Sequence, residues 1–191
     1  MGEPETTRSW STTLQDRIAE AQKGKDTILT TVSFTLQKKL SIEVLQAANS
    51  SIGPMQLIGN ELGQSIFGSM GADILNGKGG IDMLKGNKGR DAFVFDSRSG
   101  GVDTILDFKV KEDKIHLVDK VFGMRKGKMN AEAFVKFKGS PTASESDDRI
   151  LYDQSKGRLY VDLDGSGGKD PVLFAILKNK PNLGVKDFFI V

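Results

Sequence analysis

Cysteine is missing from all 191 residues, which removes disulfides, thiolate metal sites and cysteine nucleophiles together. Histidine occurs once, at His116, without an evident catalytic partner, and no carboxylate pair stands in a recognisable catalytic motif. No apolar run approaches the ~18 residues of a membrane-spanning helix. The opening "MGEPETTRSWSTT" lacks the apolar core of a secretory signal peptide. Its first residues match the myristoylation pattern formally, but Pro4 between Glu3 and Glu5 makes that a coincidence. An excess of one charge is also lacking, with 27 Lys+Arg against 25 Asp+Glu. The exception is Lys109 to Lys138, where nine basic residues face four acidic ones. A solvated surface accounts for that stretch, and attraction for a polyanion is the alternative.

Glycine is plentiful, at 22 residues, and concentrated in the central third. It recurs at Gly68, Gly77 and Gly86 and at Gly71, Gly80 and Gly89, while aspartate recurs at Asp73, Asp82 and Asp91, always nine residues apart. Leu57, Ile66, Leu75, Leu84 and Phe93 keep the same interval. A nonapeptide with a glycine turn and one buried apolar side chain describes half a coil of a parallel β-solenoid. Residues two repeats apart then stack. The spacing predicts one buried ladder of Leu57, Leu75 and Phe93 and a facing one of Ile66 and Leu84.

Upstream, "TILTTVSFTL" alternates at Val32, Phe34 and Leu36, and "SIEVLQ" at Ile42 and Val44, so both read as strands. Leu14, Ile18 and Ala21 in "LQDRIAEAQKG" suit a short helix ending at Gly24. Downstream, "VDTILDF", "KIHLV", "AFVKF", "RILYD", "RLYVDLD", "VLFAIL" and "FFIV" read as short strands, with "DQSKG" as a hairpin loop. Asp147, Asp148 and Asp153 flank these strands as turn caps. The expected fold is all-β, a parallel β-roll of nonapeptide repeats followed by a β-rich C-terminal region.

The units "GSMGADILN", "GKGGIDMLK" and "GNKGRDAFV" resemble the calcium-binding nonapeptide of RTX (hemolysin-type) proteins, and "GNELGQSIF" is a degraded lead-in with Gln64 in the aspartate position. The resemblance extends over about residues 16–191, through "DAFVFD", "EDKIHL", "DDRILYD", "LYVDLDGSG" and "DFFIV". It implies strand and turn, not helix, at "DRIAEA". It also implies four regions: an unassigned segment 1–15, a strand-rich lead-in 16–56, repeats 57–95, and a C-terminal β region 96–191 carrying a type I secretion signal. The ending Asp187, Phe188, Phe189, Ile190 and Val191 is similar to the terminal motif read by type I exporters. Such export accounts for the absent cysteine and signal peptide. The implied setting is extracellular and bacterial, with the exporter as partner, no nucleic-acid partner and no enzymatic activity.

The resemblance further implies Ca²⁺ held by carboxylates and turn carbonyls of stacked coils. Asp73 and Asp91, with carbonyls near Gly68 and Gly86, form the complete pair, whereas Asp82 is flanked by Gln64 and Gly100. Asp162 and Asp164 in "DLDGSG" start a calcium-loop pattern that lacks the distal glutamate, so a glycine turn competes there. Ala72, Ile81 and Arg90 stand where family repeats often carry Asn or Asp, and Lys78, Lys85 and Lys88 add positive charge. A calcium-independent roll is therefore an alternative, as is a module for acidic polysaccharide, of the kind that accompanies alginate epimerases in the family.

Overall fold

The computed structural model describes residues 25–48, 52–98 and 100–191, and the backbone of 8–12. The chain runs through β1 (Arg8–Thr12), β2 (Asp26–Thr30), β3 (Phe34–Thr35), β4 (Val44–Ala47), β5 (Gln56–Ile58) and β6 (Ser65–Phe67). It continues through β7 (Ile74–Asn76), β8 (Met83–Lys85), β9 (Ala92–Phe95), β10 (Asp103–Ile105) and β11 (Lys114–Leu117). From β2 to β11 successive strands alternate between two sheets. The first sheet stacks β1-β2-β4-β6-β8-β10 and the second β3-β5-β7-β9-β11, with every neighbour parallel. This is a parallel β-solenoid, and its coils extend beyond both ends of the glycine repeats.

The three-residue strands leave one inward side chain at each step, so the core of the coils is built on two apolar ladders. The first sheet aligns Ile28, Leu45, Ile66, Leu84, Ile105 and Leu177. The second aligns Phe34, Leu57, Leu75, Phe93, Ile115 and Phe188. All but the partly buried Phe34 lie in the solvent-excluded core. Burying one such side chain is worth about 1.5–3 kcal/mol. The predicted columns, Leu57 with Leu75 and Phe93 facing Ile66 with Leu84, are the ones formed.

The run "TILTTVSFTL" is not a single strand. The Thr30 hydroxyl bonds to both the carbonyl and the N–H of Val32, turning the chain there, so β2 and β3 belong to different sheets. Val32, at 43% exposure, occupies the corner. The stretch "LQDRIAEAQKG", with its competing helix and strand readings, lies outside the described residues.

All seven downstream runs contain strands. After the single-turn helix α1 (Asp119–Phe122) come β12 (Gly127–Lys128), β13 (Phe134–Lys136), β14 (Ile150–Asp153), β15 (Arg158–Val161), β16 (Val172–Leu177) and β17 (Phe188–Ile190). "DQSKG" forms the β14–β15 hairpin, where Asp153 accepts the Ser155 N–H at 3.0 Å. The first sheet continues from β10 through β16-β15-β14-β13, and the second from β11 through β17-β12. Phe174 meets Phe95 and Phe122 edge-on, each with ring centroids 5.1 Å apart, and Phe108 packs on Phe93. The C-terminal region and the coils thus share one core.

Candidate metal centre

Each coil has two corners. Turns 68–73 and 86–91 stack along one edge of the roll and are followed by the β10–β11 connection. Turns 59–64 and 77–82 stack along the other and are followed by the β9–β10 connection. Asp73, Asp82 and Asp91 end their turns two residues before a ladder side chain, and all three are buried. That position faces the preceding coil. Oδ1 of Asp73 accepts the Met55 N–H at 2.8 Å, Oδ1 of Asp82 that of Gln64 at 2.7 Å, and Oδ1 of Asp91 that of Asp73 at 2.9 Å. The carboxylates therefore staple neighbouring coils through the backbone.

The same staple recurs where the nine-residue beat is broken. Asp103 Oδ1 accepts the Asp82 N–H and Asp113 Oδ1 the Asp91 N–H, both at 3.0 Å. The partner of Asp82 on the following coil is accordingly Asp103, not Gly100, because the intervening loop lengthens the step to 21 residues. The step from Asp91 to Asp113 is 22 residues. A strict period of nine hides both residues. The signal that reveals them is an acid two places before an inward apolar residue: "DTI" at 103–105, "DKI" at 113–115, "DTI" at 26–28 and "EVL" at 43–45. Glu43 even repeats the bond, accepting the Asp26 N–H at 2.7 Å.

The second carboxylate oxygen divides the turns. Asp73 Oδ2 accepts the Ser69 N–H, and the Ser69 hydroxyl adds a bond to Oδ1. Oδ2 of Asp82 and of Asp91 are buried without a hydrogen-bond partner. Glycine backbone presses on both oxygens: a Cβ added at Gly77 would sit 2.1 Å from Asp82 Oδ2, and one at Gly86 would sit 2.2 Å from Asp91 Oδ2. A Cβ at Gly68 would strike Asp73 Oδ2 at 2.6 Å and the Gly86 carbonyl oxygen at 2.7 Å, so Gly68, Gly86 and Asp73 do converge. The Gly68 carbonyl itself accepts from Asn87 Nδ2 at 2.7 Å.

Burial, reinforced by the Asp103 charge, pushes the Asp82 carboxyl up to about 7. Burial does the same for Asp91, also to about 7, with the charges of Asp113, Asp73 and Asp107 adding to it. Asp103 rises to about 6 and Asp113 rises too, both mainly through burial. Of the basic neighbours, Lys78 pairs with Asp96, Lys109 Nζ donates to the Asn87 carbonyl at 2.6 Å, and Arg90 points to solvent while Asp91 points inward. These carboxylates fit a hard, oxygen-seeking cation: two have an oxygen that no donor meets, and a like charge lies one coil away. Among the described residues no three acidic or imidazole side chains converge, so carbonyls and water would have to complete the set.

Asp162 and Asp164 lie elsewhere, in the β15–β16 loop. Asp162 Oδ1 accepts the N–H groups of Asp164 and Gly165 at 3.1 and 2.9 Å, which closes a glycine turn. Asp164 Oδ1 is enclosed without a partner, and burial raises the Asp162 pKa. Asp148 and Asp153 cap turns, whereas Asp147 is exposed.

Asp187, Phe188, Phe189, Ile190 and Val191 form the closing edge of the coils. Asp187 is buried and accepts the Gly184 N–H at 2.8 Å, Phe188 and Ile190 are buried, and only Phe189 turns outward, at 40% exposure. No helix among the described residues is long and apolar enough to cross a membrane. No family model matches the chain, and no curated protein matches it at a significant level.

Proposed function

We propose that this chain is an RTX-type, non-enzymatic calcium-binding β-roll, exported unfolded by a type I exporter and folding outside the bacterial cell. Among the described residues four buried carboxylate oxygens have no donor. The observation that carries this reading is that two of them, those of Asp82 and Asp91, stand in the glycine repeats, the other two being on Asp26 and Asp164 outside them. A bound Ca²⁺ would supply the positive charge that these stacked carboxylates lack. Asp82, Asp91, Asp103 and Asp113 would offer carboxylate, and Gly68 and Gly86 lie where turn carbonyls reach the gap between coils. With few carboxylates at each position, affinity belongs in the weak range of extracellular modules, on the order of 10⁻⁴–10⁻³ M. At one hundred times Kd, a ligand of the folded state alone adds about 2.7 kcal/mol. Calcium should therefore raise the melting temperature in calorimetry, and magnesium much less. An intact roll that shows no heat of binding at millimolar calcium would overturn the calcium reading and leave a calcium-independent roll.

One observation favours a second reading, an acidic polysaccharide as ligand. His116 on β11, Phe189 on β17 and Lys128 on β12 lie side by side in register, with Lys114 two residues along the same strand face. The His116 and Phe189 rings stand 5.8 Å apart. A ring pair flanked by lysines offers an apolar contact for a sugar face and charges for its carboxylates. Binding to alginate should then be present at low salt and lost near 1 M, where the Debye length is ~3 Å. Binding indifferent to salt would remove this reading.

A further inference from the structure

The repeats look equivalent in sequence, but their turns are finished in two ways. In one, the closing side chain takes the backbone N–H four residues earlier in its own turn. Gln64 Oε1 accepts from Asn60 at 3.0 Å, Asp113 Oδ2 accepts from Lys109 at 2.8 Å, and Asp73 Oδ2 accepts from Ser69. Such a turn has spent its second oxygen.

In the other kind the corresponding N–H is turned away. Lys78, four residues before Asp82, has φ 74°, and its N–H goes to Asn76 Oδ1 at 2.8 Å. Asn87, four residues before Asp91, has φ 70°, and its N–H goes to Asp107 Oδ2 at 2.9 Å. Neither residue is glycine, so this left-handed backbone is adopted against its usual preference. The outcome in both turns is an aspartate at 1% exposure or less, one of whose carboxylate oxygens is buried with no partner. The groups around Asp91 include Asp107, which also takes the Gly86 N–H, and Lys109, whose ammonium is held by the Asn87 carbonyl. Beside Asp82, the Lys78 ammonium is engaged by Asp96.

We infer that cation binding by the repeats is confined to two turns, 77–82 and 86–91, each centred on its own unpartnered Oδ2, with the negative charge of Asp103 beside Asp82 and of Asp113 beside Asp91 on the following coil. The inference rests on the calcium reading above and narrows it from a property of every repeat to one ion on each edge of the roll. Turn 68–73, with the same aspartate and glycine spacing, is closed by its own Ser69 and stays empty.

Titration calorimetry with CaCl₂ on the full chain tests this, repeated for Asp82→Asn, Asp91→Asn and Asp73→Asn. Asparagine keeps an oxygen for the cross-coil N–H, so the staple between coils survives the change. The wild type should bind two ions, Asp82→Asn and Asp91→Asn one each, and Asp73→Asn two. Loss of an ion in Asp73→Asn, or two ions retained in either of the others, overturns the confinement while leaving calcium binding itself in place. No binding by the folded wild type overturns both. If circular dichroism finds either variant unfolded, Asp103→Asn and Asp113→Asn carry the same test. Each should weaken one of the two ions by about tenfold through loss of a neighbouring negative charge, and unchanged affinity in both would count against the pairing.

Discussion

A carboxylate sealed into a glycine turn can be satisfied by backbone donors, by a proton or by a cation, and the roll uses the first at Asp73. At Asp82 and Asp91 Oδ1 has its cross-coil donor but Oδ2 has none, so without a cation a proton is held up to about pH 7. The unfolded chain releases that proton near the ordinary value of 3.8. Between these values the folded state binds more protons than the unfolded state, so stability must fall as pH rises from 3.8 to about 7. Asp153, held low by the Ser155 hydroxyl, acts the other way only below its ordinary value of 3.8. His116, lowered by burial, opposes the fall below its ordinary 6.5, one group against the raised carboxyls of Asp82, Asp91, Asp103 and Asp113. Urea denaturation in chelator should therefore give a less stable protein at pH 8 than at pH 5, and calcium should restore the loss at pH 8. Greater stability at pH 8 in chelator would contradict the burial of these groups. A second residue-scale prediction concerns Gly89, at φ 117°, where an added Cβ would lie 2.1 Å from the Gly71 carbonyl oxygen. Gly89→Ala should cost at least ~1–3 kcal/mol in backbone strain alone. Gly53→Ala, with nothing within 4 Å of its Cβ, should cost little in the same denaturation assay.

Elements three residues long have no independent stability, so their identity comes from the ladder they join. Leu75, between Leu57 and Phe93, is fully buried. Leu75→Asp should abolish cooperative unfolding, because an unpaired buried charge costs several kcal/mol or more. A folded variant with the native circular dichroism spectrum would remove the ladder as the source of stability. The ladder was legible because an interval of nine survives any uncertainty about strand ends. What was not legible were the departures from it. Val32 matched a period of two while sitting in a corner, since alternation cannot report which sheet a residue enters. Asp103 and Asp113 escaped because longer loops shift the interval without altering the stacking. The state of each turn was hidden as well: Ser69 and Lys78 look interchangeable in a glycine repeat, and only backbone geometry separates a donor aimed inward from one aimed away.

At the scale of the molecule, β17 closes the second ladder by placing Phe188 on Ile115 and pairing with β11 on one side and β12 on the other. Removing residues 188–191 should lower the free energy of unfolding by the burial of Phe188 and Ile190, about 3–6 kcal/mol for two large side chains, measured by denaturation. The proposed export motif would thus be readable only before the protein is finished. Folding would erase its own address label. Neighbouring coils need only nearby sequence, whereas the return of β17 to β11 waits on everything from β12 to β16. Until then β11 is a raw edge, with unpaired backbone groups and an uncovered Ile115, and such edges recruit strands from other molecules. A chain with its coils formed and β17 not yet docked would be adhesive at one face, so its hazard is polymerisation rather than unfolding.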